Sequence, residues 1–135
     1  MINSYNATTQ NVLTDGPIIF LTNRILTGCT VIRNGETFQL KKPGYYYVSF
    51  NADAAATTAV GLLTVELQNN GVAVLGAEAS YTATTAGNIS NLAFSTIIRV
   101  PPSCCAIDNT ANLTLVNTGI DATYSNVNIN ITKLC

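Results

Sequence analysis

The stretch Phe38–Phe50 reads FQLKKPGYYYVSF and continues without interruption through Asn51-Ala52-Asp53-Ala54. From Gly44 onward its side chains alternate. Tyr46, Val48, Phe50, Ala52 and Ala54 fall on one face, and Tyr45, Tyr47, Ser49, Asn51 and Asp53 fall on the other. A period of two sustained over this length predicts a β-strand with one buried face. Pro43-Gly44 supplies the sharp entry, because glycine tolerates backbone angles that other residues avoid. The same strand therefore offers a row of core residues and a second row of tyrosine, serine and asparagine.

Working outward, the neighbouring segments repeat the pattern. Leu63, Val65 and Leu67 alternate in LLTVELQ, and Asn69-Asn70-Gly71 after them predicts a tight hairpin turn into VAVLGAEA. In LAFSTIIRV, Leu92, Phe94, Thr96, Ile98 and Val100 point one way, and Pro101-Pro102 ends the strand because proline donates nothing to a ladder. NLTLVN centres a short strand on Leu113 and Leu115, and YSNVNINITKL sets Val127, Ile129 and Ile131 against Asn126, Asn128 and Asn130. Upstream, PIIFLTNRILTG and TVIRNGETFQL predict two more strands, with Arg33–Glu36 as a turn or bulge. No segment sustains a helical period. About seven or eight strands in one domain predict an all-β, antiparallel, two-sheet sandwich.

Composition narrows the chemistry. The 135 residues are 47% hydrophobic and only 10% charged, with six basic and seven acidic residues and no histidine. Without histidine the commonest general base and zinc ligand is missing. The carboxylates are solitary in sequence, no spacing proposes calcium, and cysteine without a histidine partner is a poor nucleophile. Catalysis, cofactors and metals are therefore not expected. Lys41-Lys42 is the only adjacent basic pair, so nucleic-acid binding is not expected either. No run approaches the roughly 20 apolar residues that span a bilayer. Met1–Leu13 lacks the basic start and apolar stretch of a secretory signal. Cys29, Cys104, Cys105 and Cys135 form no CxxC pair. Such cysteines are either cross-links, formed once the protein is outside the cell by another exporter or by lysis, or reduced side chains buried as small hydrophobes.

The segment that opens this section resembles the signature of the tumour-necrosis-factor and complement-q-like jelly rolls. That signature runs phenylalanine, five residues, glycine, any, tyrosine, any, phenylalanine, any, aromatic. Phe38, Gly44, Tyr46 and Phe50 fall in register. Val48 replaces the middle phenylalanine, and Val31 stands where an aromatic is expected seven residues before Phe38. These departures resemble the bacterial branch, which includes head domains of collagen-like spore-surface proteins and modules of phage particles. The likeness extends from Pro17 to Cys135, leaving residues 1–16 as a short N-terminal arm and 17–135 as the jelly-roll domain.

The resemblance implies a homotrimer with one sheet facing the three-fold axis. It places the strands of Tyr45, Tyr47, Ser49 and Asn51 and of Asn126, Asn128 and Asn130 side by side. An uncharged, tyrosine-bearing face suits a subunit contact, since interface cores are enriched in aromatics and depleted of charge; the competing reading is a solvated outer face. The resemblance also puts Cys104, Cys105 and Cys135 at one end of the sandwich and Cys29 at the other. Ten residues of strand separate such ends by about 33 Å, against the 7 Å between Cα atoms that a disulfide tolerates. It thus implies a bridge from Cys135 to Cys104 or Cys105, with the remaining vicinal cysteine pairing with Cys29 of a neighbour. The function expected is a non-catalytic structural component on the surface of an extracellular particle, a spore appendage, exosporium or virion fibre, assembling with itself into a fibre or shell. The alternative is a head that binds a surface receptor or a carbohydrate, for which Tyr81 and Tyr124 are the loop aromatics on offer.

Overall fold

The computed structural model describes residues 1–58, 60–102 and 111–134. Among the described residues, twelve strands run in chain order: β1 (Ile2–Asn6), β2 (Gln10–Val12), β3 (Gly16–Pro17), β4 (Thr22–Leu26), β5 (Val31–Asn34), β6 (Thr37–Leu40), β7 (Gly44–Ala56), β8 (Gly61–Asn69), β9 (Val72–Ala83), β10 (Ser90–Val100), β11 (Ala111–Asn117) and β12 (Ala122–Lys133). One sheet has the order β10-β7-β12-β1-β4, with β2 also on β12; the other has β5-β6-β11-β8-β9, with β3 also on β11. Every pairing is antiparallel. The all-β, antiparallel two-sheet sandwich expected from the alternation, and the jelly roll that the resemblance implied, are the architecture found.

The long strand β7 lies at the centre of this arrangement. It pairs with β10 from Val100↔Gly44 to Ser90↔Ala54, and with β12 from Lys133↔Tyr46 to Ala122↔Ala56. Its inner row, Tyr46, Val48, Phe50, Ala52 and Ala54, is buried. Aromatics span the gap between the sheets: Phe20 meets Phe38 of β6 edge-on at 5.2 Å and Phe50 of β7 at 6.4 Å. Such pairs add to the area they bury, because ring edges are electropositive and ring faces electronegative. Asn70 and Gly71 take positive φ values of 52° and 82°, which makes the expected tight turn between β8 and β9.

Three sequence expectations change here. Residues 1–16 are not set apart from the domain. β1 pairs along its whole length with β12, Ile2 is fully buried, and β2 and the start of β3 lie within the sheets. TVIRNGETFQL is two strands, β5 and β6, folded back on each other around Gly35. The pattern of β12 also hides a bulge. Ser125 pairs with Asp53 and Asn128 with Asn51, so Asn126 and Val127 oppose a single residue, and Asn126 has φ 51°. That shift lets both Tyr124 and Val127 face inward, which strict alternation forbids.

A polar node closes the end of the sandwich where β7 finishes. Asn117 is fully buried; its Nδ2 donates to the carbonyls of Val12 (3.2 Å) and Ile120 (2.9 Å), and its Oδ1 accepts from the Tyr124 hydroxyl at 3.1 Å. Gly119 beside it touches β8 so closely that an added Cβ would lie 2.3 Å from the Leu62 carbonyl oxygen. At the sandwich edge, Arg33 of β5 reaches across to the first sheet, donating to Asn23 Oδ1 at 2.7 Å and to the Phe20 carbonyl at 2.5 Å. On β9, Glu78 pairs with Glu66 but Ala73 with Gln68, so the strand bulges around Gly76 (φ 85°) and leaves Leu75 93% exposed.

Asn117→Ala should cost about 3 kcal/mol in urea unfolding, because it orphans a buried hydroxyl and two carbonyls; Tyr124→Phe should cost about 1 kcal/mol. Burial also raises the Tyr124 phenol above its ordinary value, and Tyr46 likewise. Above roughly pH 10 the unfolded chain then releases phenolic protons that the folded chain keeps, so stability falls as pH rises. In urea titrations at pH 8 and pH 11, Tyr124→Phe should show a smaller loss than wild type.

Candidate interaction surface

The outer face of the first sheet can be laid out in rows, because register places residues of neighbouring strands side by side. Ala93, Asn51, Asn128 and Tyr5 make one row, followed by Ser95, Ser49, Asn130 and Asn3. Ile97, Tyr47 and Thr132 make the next. The last brings Arg99 and Tyr45 beside Leu134, whose amide donates to the Tyr45 carbonyl. No ionic side chain stands in the first three rows. Asp53 flanks them at one end, held by Asn91 and Asn126, and Arg99 flanks them at the other. Tyr45, Tyr47, Ile97 and Leu134 are 40–57% exposed, an apolar strip on the half of the face nearer the start of β7.

Each expected contact residue thus lies on this face, though not in one environment. Tyr45, Tyr47 and Asn51 are exposed and Ser49 is half-buried. Asn126 projects from the bulge, exposed, and donates to Asp53 Oδ2 at 3.3 Å. Asn128 and Asn130 are half-buried, and both of their Oδ1 atoms accept from Asn3 Nδ2, at 2.7 and 2.5 Å. Asn3 itself is buried, and its Oδ1 has no partner among the described residues. Sequence reading passed over Asn3 because residues 1–16 carry no long alternation; the paired apolar Ile2 and polar Asn3 are the signal that was there. Beside these rows, Tyr5, Asn6, Arg24, Asn51, Asn126 and Asn128 line a polar hollow of about 330 Å³. The Arg24 guanidinium there lies 4.7 Å from the Tyr5 ring centroid, a cation–π distance.

The two aromatics assigned to loops stand in strands. Tyr124 is fully buried in β12, and Tyr81 belongs to β9 with 36% exposure. The cysteine geometry changes as well. Cys29 is exposed, with a free thiol, and it stands two residues before Val31, which pairs with Leu40. Leu40 pairs with Ala111, and Lys41 donates its amide to the Thr30 carbonyl. This is the end at which β7 begins and where β10 and β12 finish. Cys29 is therefore not at the opposite end: β5 and β6 form a hairpin, and the return strand brings the chain back. Cys104, Cys105 and Cys135 lie outside the described residues. Among the described residues, no three cysteine or carboxylate side chains gather as a metal site would require.

No family model matches this chain, and no curated protein matches it. Solved structures do. The globular domain of zebrafish complement 1qA matches with TM-score 0.69 at 11% identity, over 99% of this chain and 96% of that one. Murine APRIL matches with TM-score 0.69 at 9% identity, over 98% and 97% of the two chains. The Eiger TNF of S. frugiperda matches with TM-score 0.70 at 13% identity, over 99% and 92%. The chain has the fold of tumour-necrosis-factor and complement-q-like jelly rolls, along its whole length.

The bulge in β12 has a simple signature. Asn126→Gly should leave the unfolding free energy within about 0.5 kcal/mol of wild type, since glycine accepts a positive φ. Asn126→Val should cost about 1–3 kcal/mol in the same urea titration, because a β-branched residue is strained there.

Proposed function

We propose that this chain is a non-catalytic, self-associating module, a homotrimer in which the outer face of the first sheet is the subunit contact. It serves as a structural component of an extracellular particle such as a spore appendage, an exosporium or a virion fibre. The observation that carries this reading is the apolar strip of Tyr45, Tyr47, Ile97 and Leu134 beside rows without ionic side chains. Exposed aromatics grouped where charge is depleted are the composition of an interface core. The jelly-roll fold supports the reading, since its connectivity sets β7 and β12 side by side with their outer rows on one surface.

Cross-linking belongs to the same proposal in altered form. A bridge between Cys29 of one copy and Cys104 or Cys105 of another, together with Cys135 bonded to the remaining vicinal cysteine, would join the copies at the end where β7 begins. Such a bridge does not run from one end of the sandwich to the other, because Cys29 stands at the end where β10 and β12 finish. The hollow beside Arg24 and Tyr5 is what favours the second reading, a receptor- or carbohydrate-binding head.

Sedimentation equilibrium tests the assembly: wild type should run as a trimer and Tyr47→Asp as a monomer with an unchanged far-ultraviolet spectrum. A wild-type monomer at all concentrations overturns it. Non-reducing gels should show covalent dimers that reductant dissolves, and a monomer band alone removes the interchain bridge. A glycan array positive for wild type and negative for Arg24→Ala would favour the binding head.

A further inference from the structure

Strand register shows how the few charges are distributed along the sandwich. Call the end where β7 begins the lower end. Lys41 and Lys42 follow Leu40 there, Arg99 pairs with Tyr45, and Lys133 pairs with Tyr46. Four of the six basic side chains thus occupy the lower end; the other two, Arg24 and Arg33, are engaged by Tyr5 and by backbone carbonyls. Lys41, Lys42 and Arg99 are exposed and Lys133 is half-buried.

The carboxylates stand elsewhere. Asp15 donates its amide to the Asn117 carbonyl, and Asp121 precedes Ala122, the partner of Ala56, so both are exposed at the upper end. Asp53 lies one row below, paired with Ser125. Glu66 and Glu78 face each other in mid-strand, and Glu36 lies in the β5–β6 turn. No described carboxylate lies at the lower end; the seventh acidic residue, Asp108, lies outside the described residues. Among the described residues the charges are therefore polarised along the strands.

We propose that the basic lower end docks onto the acidic upper end of a second copy, so that trimers stack head-to-tail along the strand direction. This rests on the self-associating trimer proposed above and adds the way in which trimers meet. The occupant follows from charge complementarity: the surface that matches Lys41, Lys42 and Lys133 is the end carrying Asp15 and Asp121 on the same chain, where Asp121 keeps its charge while its Oδ1 accepts from Thr14, and Arg99, in the row of Tyr45, borders the trimer contact. Because the two surfaces differ, the contact is heterologous and does not close on itself, so it propagates as a filament. A trimer presents each set three times over, which raises the avidity of pairs that are weak singly. The 13 residues of β7 set an axial repeat of about 44 Å. Salt should dissolve the stack, since the screening length falls from about 10 Å at 0.1 M to 3 Å at 1 M.

Sedimentation velocity and negative-stain microscopy of reduced wild-type protein test this, in 20 mM and 500 mM sodium chloride. Expected are multiples of the trimer with a repeat near 44 Å at low salt, and the trimer alone at high salt. Lys41→Glu with Lys42→Glu disables the lower end, and Asp15→Asn with Asp121→Asn disables the upper; each double variant should remain a trimer at both salts. Mixed in equal amounts, the two should restore one junction and give pairs of trimers that grow no further. A wild-type trimer that never stacks at low salt, or stacks indifferent to salt and to both variants, overturns the proposal. A wild-type monomer at every salt and concentration would instead overturn the trimer on which it rests.

Discussion

The structure depends on one constraint: β7 must turn Tyr46, Val48, Phe50, Ala52 and Ala54 toward the opposite sheet. A register slip of one residue would bring Tyr45, Tyr47, Ser49 and Asn51 inward and expose the core row. Because β10 and β12 are both laid along β7, the slip would carry across the whole sheet. The core therefore selects the outer face as well. What the molecule shows to its surroundings on that side is the residue set left over once the core row is satisfied.

Few charges means that polarity must be managed with amides and hydroxyls. Asn117 occupies a fully buried site where an ion would carry a heavy desolvation cost, and it satisfies two carbonyls and a phenol with one neutral side chain. Asn3 spans two asparagines of β12 in the same manner. Even Arg33, a cation, spends its donors on an asparagine and backbone carbonyls and not on a carboxylate. Interactions of this kind are short in range and insensitive to salt. Most of the other ionic groups that are engaged meet neutral partners as well, Asp53 two asparagines and Asp121 a threonine.

Much of this was legible in the chain. The alternation from Gly44, the turn at Asn70-Gly71, the proline stop after Val100 and the terminal strand all have local causes and stand where they were read. What was missed depends on contacts distant in sequence. β1 has five residues and no alternation of its own, and only its pairing with β12 makes it a strand. Tyr124 opens the strand read from YSNVNINITKL, but strict alternation from Val127 turns it outward until the bulge at Asn126 is allowed for. Reading residues 31–40 as one strand in place of a hairpin moved Cys29 to the wrong end, a single turn altering the predicted direction of assembly. Of the contact face, the tyrosines were legible because their row belongs to the longest strand. Asn3 was not, because its neighbours lie more than a hundred residues away.

The bulge around Gly76 has a further consequence. β9 is an outer strand of its sheet, and an outer strand with a regular ladder of free amides and carbonyls invites any other strand to zip onto it. Four residues, Val74–Ala77, are interposed there between the pairs Gln68↔Ala73 and Glu66↔Glu78, so no straight strand can match the spacing of that edge. Backbone shape thereby blunts this one edge in a protein with few charges to repel an incoming strand.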